Sequence, residues 1–455
     1  MGIADRLAEL ERIESAGTTA SYVASQNLER SDVLAELKRK AVDALFRRIG
    51  ARINDSSLTE VQLSEFVKQE LANILKEEHV QLGDVERKVL MREIEDDALG
   101  LGPIQRLLDD DAISEIMVNH QRQVFVERAG KLTLSDVAFD SEEQLRRVIE
   151  RIVGRVGRRI DESSPLVDAR LQDGSRVNAI IPPLAVRGSS LTIRKFSKRA
   201  FTVEDLISFG SMTPELAEVL ELCVRGKLNI LVSGGTGTGK TTLLNVLSSF
   251  IPEGERIVTI EDAIELKMQQ THVVQLESRP ANIEGRGEVT IRDLVKNSLR
   301  MRPDRVVIGE CRGGEALDML QAMNTGHDGS ISTLHANSPR DCISRLETLV
   351  LMAGMDLPLR AIREQIGSAV DLIVQISRMR DGSRRVTHVT ELAGIESGEP
   401  VLNDLFRFDY SAGHDSSGRP LGSVLQVGSG QRIWKKLEER GVDVPAHLMT
   451  TPGRF

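Results

Sequence analysis

The sequence predicts an α/β fold: a parallel sheet flanked by helices from about residue 199 onward, preceded by a smaller α+β unit and a helical segment. Three observations carry this. From Phe201, short apolar runs alternate with helix-like stretches, namely Asn229–Val232, Arg256–Ile260, Val273–Leu276, Val306–Ile308, Gly329–Thr333 and Leu372–Gln375. That alternation is the signature of parallel strands covered on both faces. Between about 100 and 198, hairpin patterns surround one amphipathic helical pattern. Ahead of them, apolar residues recur at helical spacing only. At 455 residues the chain is too long for one ordinary domain, and two or three are expected.

Residues 1–30 are polar with sparse apolar residues, a flexible or marginally helical segment. A helical domain follows over 31–98. Leu34, Leu37, Ala41, Leu45 and Ile49 share one helical face, with Arg47 and Arg48 opposite. Leu63, Phe66, Val67, Leu71, Ile74 and Leu75 form a second face, with Ser64 and Glu65 as the start, and Glu86–Glu95 reads as a third helix. Over 99–198, Ile113–Val118 and Gln123–Glu127 read as strands about a turn, and Ser141–Val156 as a helix through Leu145, Val148, Ile149 and Ile152. Leu171–Val177 reads as a hairpin turning at Asp173-Gly174, with Leu191–Phe196 as its partner strand. A linker is expected near Ser197–Thr202, beside the basic run Arg194, Lys195, Lys198 and Arg199. The tail from about 390 to 455 is Gly- and Ser-rich, with one short helix near Gln431–Arg440.

Composition narrows the function classes. Apolar content is 40% and charged content 28%, as in soluble globular proteins. A net charge of -9, with aromatics at 3%, argues against a chain built to grip nucleic acid by charge and base stacking. Cys223, Cys311 and Cys342 are widely spaced and fit no metal pattern; they read as core thiols in a reducing compartment. No apolar run approaches a membrane span and no signal region opens the chain, so direct membrane insertion is not expected.

The most specific motif is Gly234, Gly235, Thr236, Gly237, Thr238, Gly239, Lys240 and Thr241, which match G-x-x-x-x-G-K-[ST] and are followed by Thr242. An apolar strand precedes the motif and a helical run follows it, the context that makes a phosphate site. Glycines let backbone N–H groups turn inward around phosphates, and the helix N-terminus adds positive potential. Lys240 can reach the β- and γ-phosphates, and the Thr241 hydroxyl can bind Mg²⁺. The chain is therefore expected to bind a nucleoside triphosphate.

Ligands in a parallel sheet sit beyond the carboxyl ends of the strands. Three strands end in polar residues there: Glu261-Asp262 with Glu265 following, Glu310, and His335. Glu310 is the candidate for orienting the attacking water, since phosphoryl transfer needs in-line positioning more than covalent help. Gly309 stands where an aspartate commonly precedes that glutamate, so metal support is expected through water from Glu261, Glu265 or Glu310. His327 and His335 flank the segment Asp328–Leu334; a neutral imidazole near the γ-phosphate would sense it, although a lone histidine is more often a packed or surface residue. Arg312 can bridge to Glu310 or to a neighbouring subunit. Arg170, Arg176 and Arg194 precede the loop-bearing domain, and an arginine delivered across an interface stabilises transition-state charge; surface solvation is the simpler alternative for each.

Together these motifs resemble the secretion ATPase superfamily (type II/IV secretion), and within it the CpaF/TadA-type tight-adherence (Tad/Flp) pilus assembly ATPases. The resemblance runs from about Leu34 to the C-terminus. It rests on Asp168–Leu171, Asp173–Asn178, Leu191–Phe196 and the glycine loop. It rests also on Glu261-Asp262 as an Asp box, Arg305–Ala316 as an atypical Walker B, and Thr325–Pro339 as a His box. It implies a RecA-like P-loop ATPase domain behind a PAS-like α+β domain, and ATP with Mg²⁺ as cofactors. It further implies a homohexamer with arginines of the N-terminal domain capping ATP. It implies a cytoplasmic location, peripheral to the inner membrane through pilus platform proteins. Assembly of a pilus, and in some relatives retraction, is the implied work. A type IV secretion ATPase of the conjugation type shares every motif and is the alternative. A nucleic-acid motor on the same core, or a non-hydrolysing nucleotide sensor, would be of another class.

Overall fold

The structure is a computed structural model that describes residues 33–449, except 35, 46, 50–59, 78–81, 129, 172, 197–199, 282–284 and 417. The expectations for residues 1–30 and for the start of the linker lie outside the described residues. The chain divides into two compact units, one ending at Phe196 and the other beginning at Ser197.

In the first unit, residues 36–45 are helical, followed by helices Glu60–Glu77 and Asp84–Ala98. Leu37, Ala41, Leu45, Val67, Leu71, Ile74, Leu90 and Ile94 form their shared apolar core. The second helix opens at Glu60 rather than at Ser64. No Gly or Pro lies between them to stop it running a turn further upstream. Six antiparallel strands follow: β1 (Ile113–His120), β2 (Gln123–Arg128), β3 (Lys131–Leu134), β4 (Leu166–Arg170), β5 (Arg176–Ile180) and β6 (Ser190–Arg194). Their order is β3-β2-β1-β6-β5-β4. Helix Glu142–Arg155 is N-capped by the Ser141 hydroxyl, which accepts from the Gln144 N–H at 3.2 Å. It lays Leu145, Val148, Ile149 and Ile152 against Ile116, Val177, Ala179, Leu191 and Ile193 of the sheet. Strand alternation sends the intervening residues to the other face. There Arg170 pairs with Arg176, Arg176 with Arg194, and Arg194 with Glu115, one transverse row across four strands.

The second unit is built on nine strands in the order β15-β14-β13-β12-β7-β11-β10-β8-β9. Strands β7 (Ile230–Ser233), β8 (Ile257–Glu261), β9 (Val273–Glu277), β10 (Arg305–Cys311), β11 (Ile331–Leu334) and β12 (Leu372–Arg378) are mutually parallel. Helices bury both faces. Leu220, Val224, Leu243 and Leu247 pack on one, and Leu317, Leu320, Leu346 and Ile366 on the other. The reading of the tail is corrected by β13 (Arg384–Glu396), β14 (Glu399–Phe408) and β15 (Val424–Gln426), which extend the sheet antiparallel from β12. Part of the loop-like composition comes from turns between these strands, as at Ser397-Gly398. The short helix is Gln431–Glu439, burying Ile433, Trp434 and Leu437.

Candidate nucleotide site

Strand β7 is wholly buried and runs directly into the glycine loop. Gly239 has φ 95°, a left-handed conformation open to glycine at no steric cost, and it serves as N-cap of helix Lys240–Ser249. Gly237 is also left-handed, at φ 68°. The Lys240 ammonium donates to the Gly235 carbonyl at 3.0 Å, and the Thr238 hydroxyl donates to the same oxygen at 2.9 Å. Thr241 and Thr242 occupy the first turn of the helix, whose leading N–H groups have no intrahelical partner. The chain thus places backbone donors, a lysine and a hydroxyl at one helix N-terminus, a donor set that fits a polyphosphate with its divalent cation.

The parallel register brings the polar strand ends to this same edge. Ser233 of β7 pairs with Leu334 of β11, Cys311 of β10 also pairs with Leu334, and Ile308 of β10 pairs with Ile260 of β8. Glu310 Oε2 accepts from Arg312 Nη2 at 2.7 Å, and Arg312 Nη1 reaches Asp262 Oδ2 at 3.4 Å. Partial burial works to raise the Glu310 carboxyl. The Arg312 bond and charge, helped by Lys240 and His335, outweigh it and hold the group below its ordinary value. Lys240 and His335 are therefore within electrostatic reach of Glu310. The same carboxylate bond holds the Arg312 guanidinium above its ordinary value, against burial.

Glu261 lies deeper, 3% exposed. Its Oε2 accepts the backbone N–H groups of Glu265 and Leu266 at 2.8 and 3.0 Å, so the carboxylate organises the chain that leaves β8. Its Cγ lies against Gly309, where an added Cβ would stand 2.9 Å away. The Gly309 carbonyl in turn accepts the Thr333 hydroxyl at 2.7 Å, tying β10 to β11. The Glu315 carboxylate accepts the N–H groups of Arg312 and Gly313 at 2.6 and 2.8 Å, which fixes the turn carrying Arg312.

His335 is exposed, immediately after β11 on the loop side. His327 is a correction: it precedes β11 and so lies at the opposite edge of the sheet. The N–H groups of Gly329 and Ser330 there donate to Asn229 Oδ1 at 2.8 and 3.0 Å, just before β7 begins. A four-residue strand is roughly 13 Å long, too far for His327 to sense a γ-phosphate in its own chain's loop. Arg170, Arg176 and Arg194 belong to the first unit and are described with it. Cys223, Cys311 and Cys342 are free and buried, and burial pushes each thiol up, Cys342 to about 12.

Sequence reasoning missed Asp262 as the second partner of Arg312, Thr333 as the tie to Gly309, and the β12–β13 hairpin beside the loop. The hairpin had a signal, Asp381-Gly382 between an apolar strand and an alternating one. The other two depend on strand order.

Among the described residues, no helix is long and apolar enough to cross a membrane. Residues 97–399 match the Type II/IV secretion system protein family. A Mycobacterium tuberculosis relative whose name refers to conjugal transfer is 37% identical over 321 residues, covering 69% of this chain and 91% of its own. Conjugal transfer protein TrbB of Rhizobium radiobacter is 34% identical over 291 residues, covering 63% of this chain and 86% of its own. The crystal structure of the VirB11 ATPase from the Brucella suis type IV secretion system, in complex with sulphate, is 33% identical. It covers 64% of this chain and 92% of that one, with a TM-score of 0.35. The family match to two-thirds of the chain establishes the family: this protein belongs to the type II/IV secretion system proteins.

Proposed function

We propose that the chain is an ATP-hydrolysing motor of type IV secretion or conjugal-transfer machinery. One observation supports the enzymatic part: the phosphate loop follows β7 and Glu310 lies on β10 at the same edge of the parallel sheet, where Arg312 donates to the Glu310 carboxylate. Lys240 would leave the Gly235 carbonyl for the β- and γ-phosphates, and the loop amides would hold the remaining phosphate oxygens. Thr241 would ligate Mg²⁺, with Glu261 and Glu310 reaching it through water; the cation supplies charge neutralisation between the phosphates. Glu310 would orient the water in line with the γ-phosphate, and His335 would report the phosphate's presence.

The row Arg170, Arg176 and Arg194 supports an anion-capping role for the PAS-like first unit. Arg170, Arg176 and Arg194 stand on one face of its sheet in register with one another, the residue type that would stabilise phosphate charge. A nucleotide that binds one conformation of the chain more tightly than another would shift the equilibrium by that difference in affinity. In a homohexamer that motion would be passed to inner-membrane proteins, from the cytoplasmic side. The names of the M. tuberculosis and R. radiobacter relatives favour conjugal transfer over the tight-adherence pilus that the motifs resemble.

The pilus reading keeps one specific support: residues 1–96 and 400–455 lie outside the family match. Deleting the gene in its host and scoring DNA or protein transfer beside surface filaments tests the choice. Loss of filaments with transfer intact would favour the pilus. Lys240→Ala is expected to abolish nucleotide binding; retained binding would remove the motor reading altogether.

A further inference from the structure

The hairpin between β12 and β13 grips the outside of the phosphate loop. We propose that Arg384 is a positioning residue for nucleotide binding, holding the Gly237 carbonyl outward so that the loop's N–H groups stay turned inward. The proposal rests on the nucleotide reading above and adds a residue from a segment that none of the motifs includes.

β7 is flanked by β11 on one side and β12 on the other. Glu310 and His335 come from the β11 side, so β12 and its hairpin approach the loop from the side away from the water-orienting carboxylate. The hairpin is internally held. The Met379 N–H donates to the Ser383 carbonyl at 2.8 Å, the Gly382 N–H to the Met379 carbonyl at 3.0 Å, and the Ser383 hydroxyl to Asp381 Oδ1 at 2.7 Å. Its outgoing strand is anchored by the Val386 N–H, which donates to the Ser211 carbonyl at 2.8 Å, and by the buried Arg385, which donates to the Gly210 carbonyl. From this base the half-buried Arg384 donates through Nη1 to the Gly382 carbonyl at 3.1 Å and through Nε to the Gly237 carbonyl at 3.3 Å. The Arg378 guanidinium is placed beside it: its Nη1 lies 4.0 Å from where a Cβ on Gly237 would be.

A loop that cradles an anion turns N–H groups inward, which leaves carbonyls facing outward. Carbonyls of this loop accept from cationic side chains. Lys240 holds that of Gly235, and Arg384 holds that of Gly237. When phosphate draws Lys240 away, the Gly235 carbonyl loses that bond. Arg384 keeps its bond to the Gly237 carbonyl, its planar fork fixed at both ends. The hairpin itself is not aimed at the attacking water. Its contribution is to binding, which separates it from Glu310.

The test uses the full-length chain and a fluorescent N-methylanthraniloyl-ADP as probe. Removing one charge-assisted bond at a partly exposed site is expected to weaken binding by Arg384→Ala about tenfold. KM for ATP should rise by a similar factor while kcat moves less than about twofold, and Arg384→Lys should recover part of the loss. Unchanged probe affinity in Arg384→Ala would overturn the proposal. So would parallel loss of affinity, kcat and unliganded Tm, the signature of general damage. If Arg384→Ala does not fold, Arg384→Met keeps the apolar stem without the donor, and the same outcomes decide. Failure of the wild type itself to bind the probe would instead overturn the nucleotide reading beneath it.

Discussion

Glu261 occupies the space that a side chain at position 309 would need: a Cβ on Gly309 would stand 2.9 Å from its Cγ. The commoner arrangement puts an aspartate just before the water-orienting glutamate. In this chain a carboxylate of the neighbouring strand, Glu261, lies against that position, and the glycine makes room for it. Gly309→Ala should therefore displace Glu261 and its bonds to the N–H groups of 265 and 266, costing about 1–3 kcal/mol of stability and lowering ATP turnover. Gly309→Asp should be worse, because two carboxylates would crowd one buried place. Denaturant unfolding and steady-state ATPase assays check both; a Gly309→Asp protein with full turnover would refute the account.

The Arg312–Glu310 pair makes a signed prediction about pH. Burial alone would raise the Glu310 carboxyl, and Arg312 is the principal group opposing it. Arg312→Ala leaves the burial and removes the opposition, so Glu310 should protonate at a higher pH than in the wild type. The acid limb of the kcat–pH profile should move upward, with nucleotide affinity changing less. An acid limb that stays in place would separate Glu310 from the rate-limiting proton-sensitive step. Glu310→Ala should abolish turnover and leave nucleotide binding intact.

Arg176→Ala or Arg194→Ala should lower turnover more than affinity for ATP. Their contribution is expected in the transition state, where an inserted arginine has been worth about 10³–10⁵ in rate in other phosphoryl-transfer enzymes. Comparing kcat with the dissociation constant of a non-hydrolysable analogue distinguishes this from simple binding. Unchanged turnover in both variants would count against capping.

Asp96 offers a test of stability. Desolvation raises its carboxyl to about 6, with Arg92 working in the opposite direction and Asp109, Glu95 and Asp97 adding to the rise. The native state therefore holds this proton more tightly than the unfolded chain, whose carboxyl titrates near ~4. The favourable contribution is present below that unfolded value and is lost as pH rises through about 6. Asp96→Asn should match the wild type in acid and exceed it above neutrality, as read by urea unfolding at pH 3, below both values, and at pH 8. A gap of equal size at both pH values would assign the effect to something other than ionisation.

Much of this protein was legible in short windows of sequence. The strand-loop-helix context around Gly234–Thr242, the amphipathic face of Glu142–Arg155 and the turn at Asp173-Gly174 each declare themselves within a dozen residues. Periodicity and turn chemistry are local. The Glu261–Gly309 contact, the seat of Thr333 on the Gly309 carbonyl, and the removal of His327 to the far edge were decided by tertiary structure. So were the pairing of β15 with β14 and the seat of Arg384 on the Gly237 carbonyl. Each joins residues brought together only by strand order and register, and no local preference encodes which strand will lie beside which.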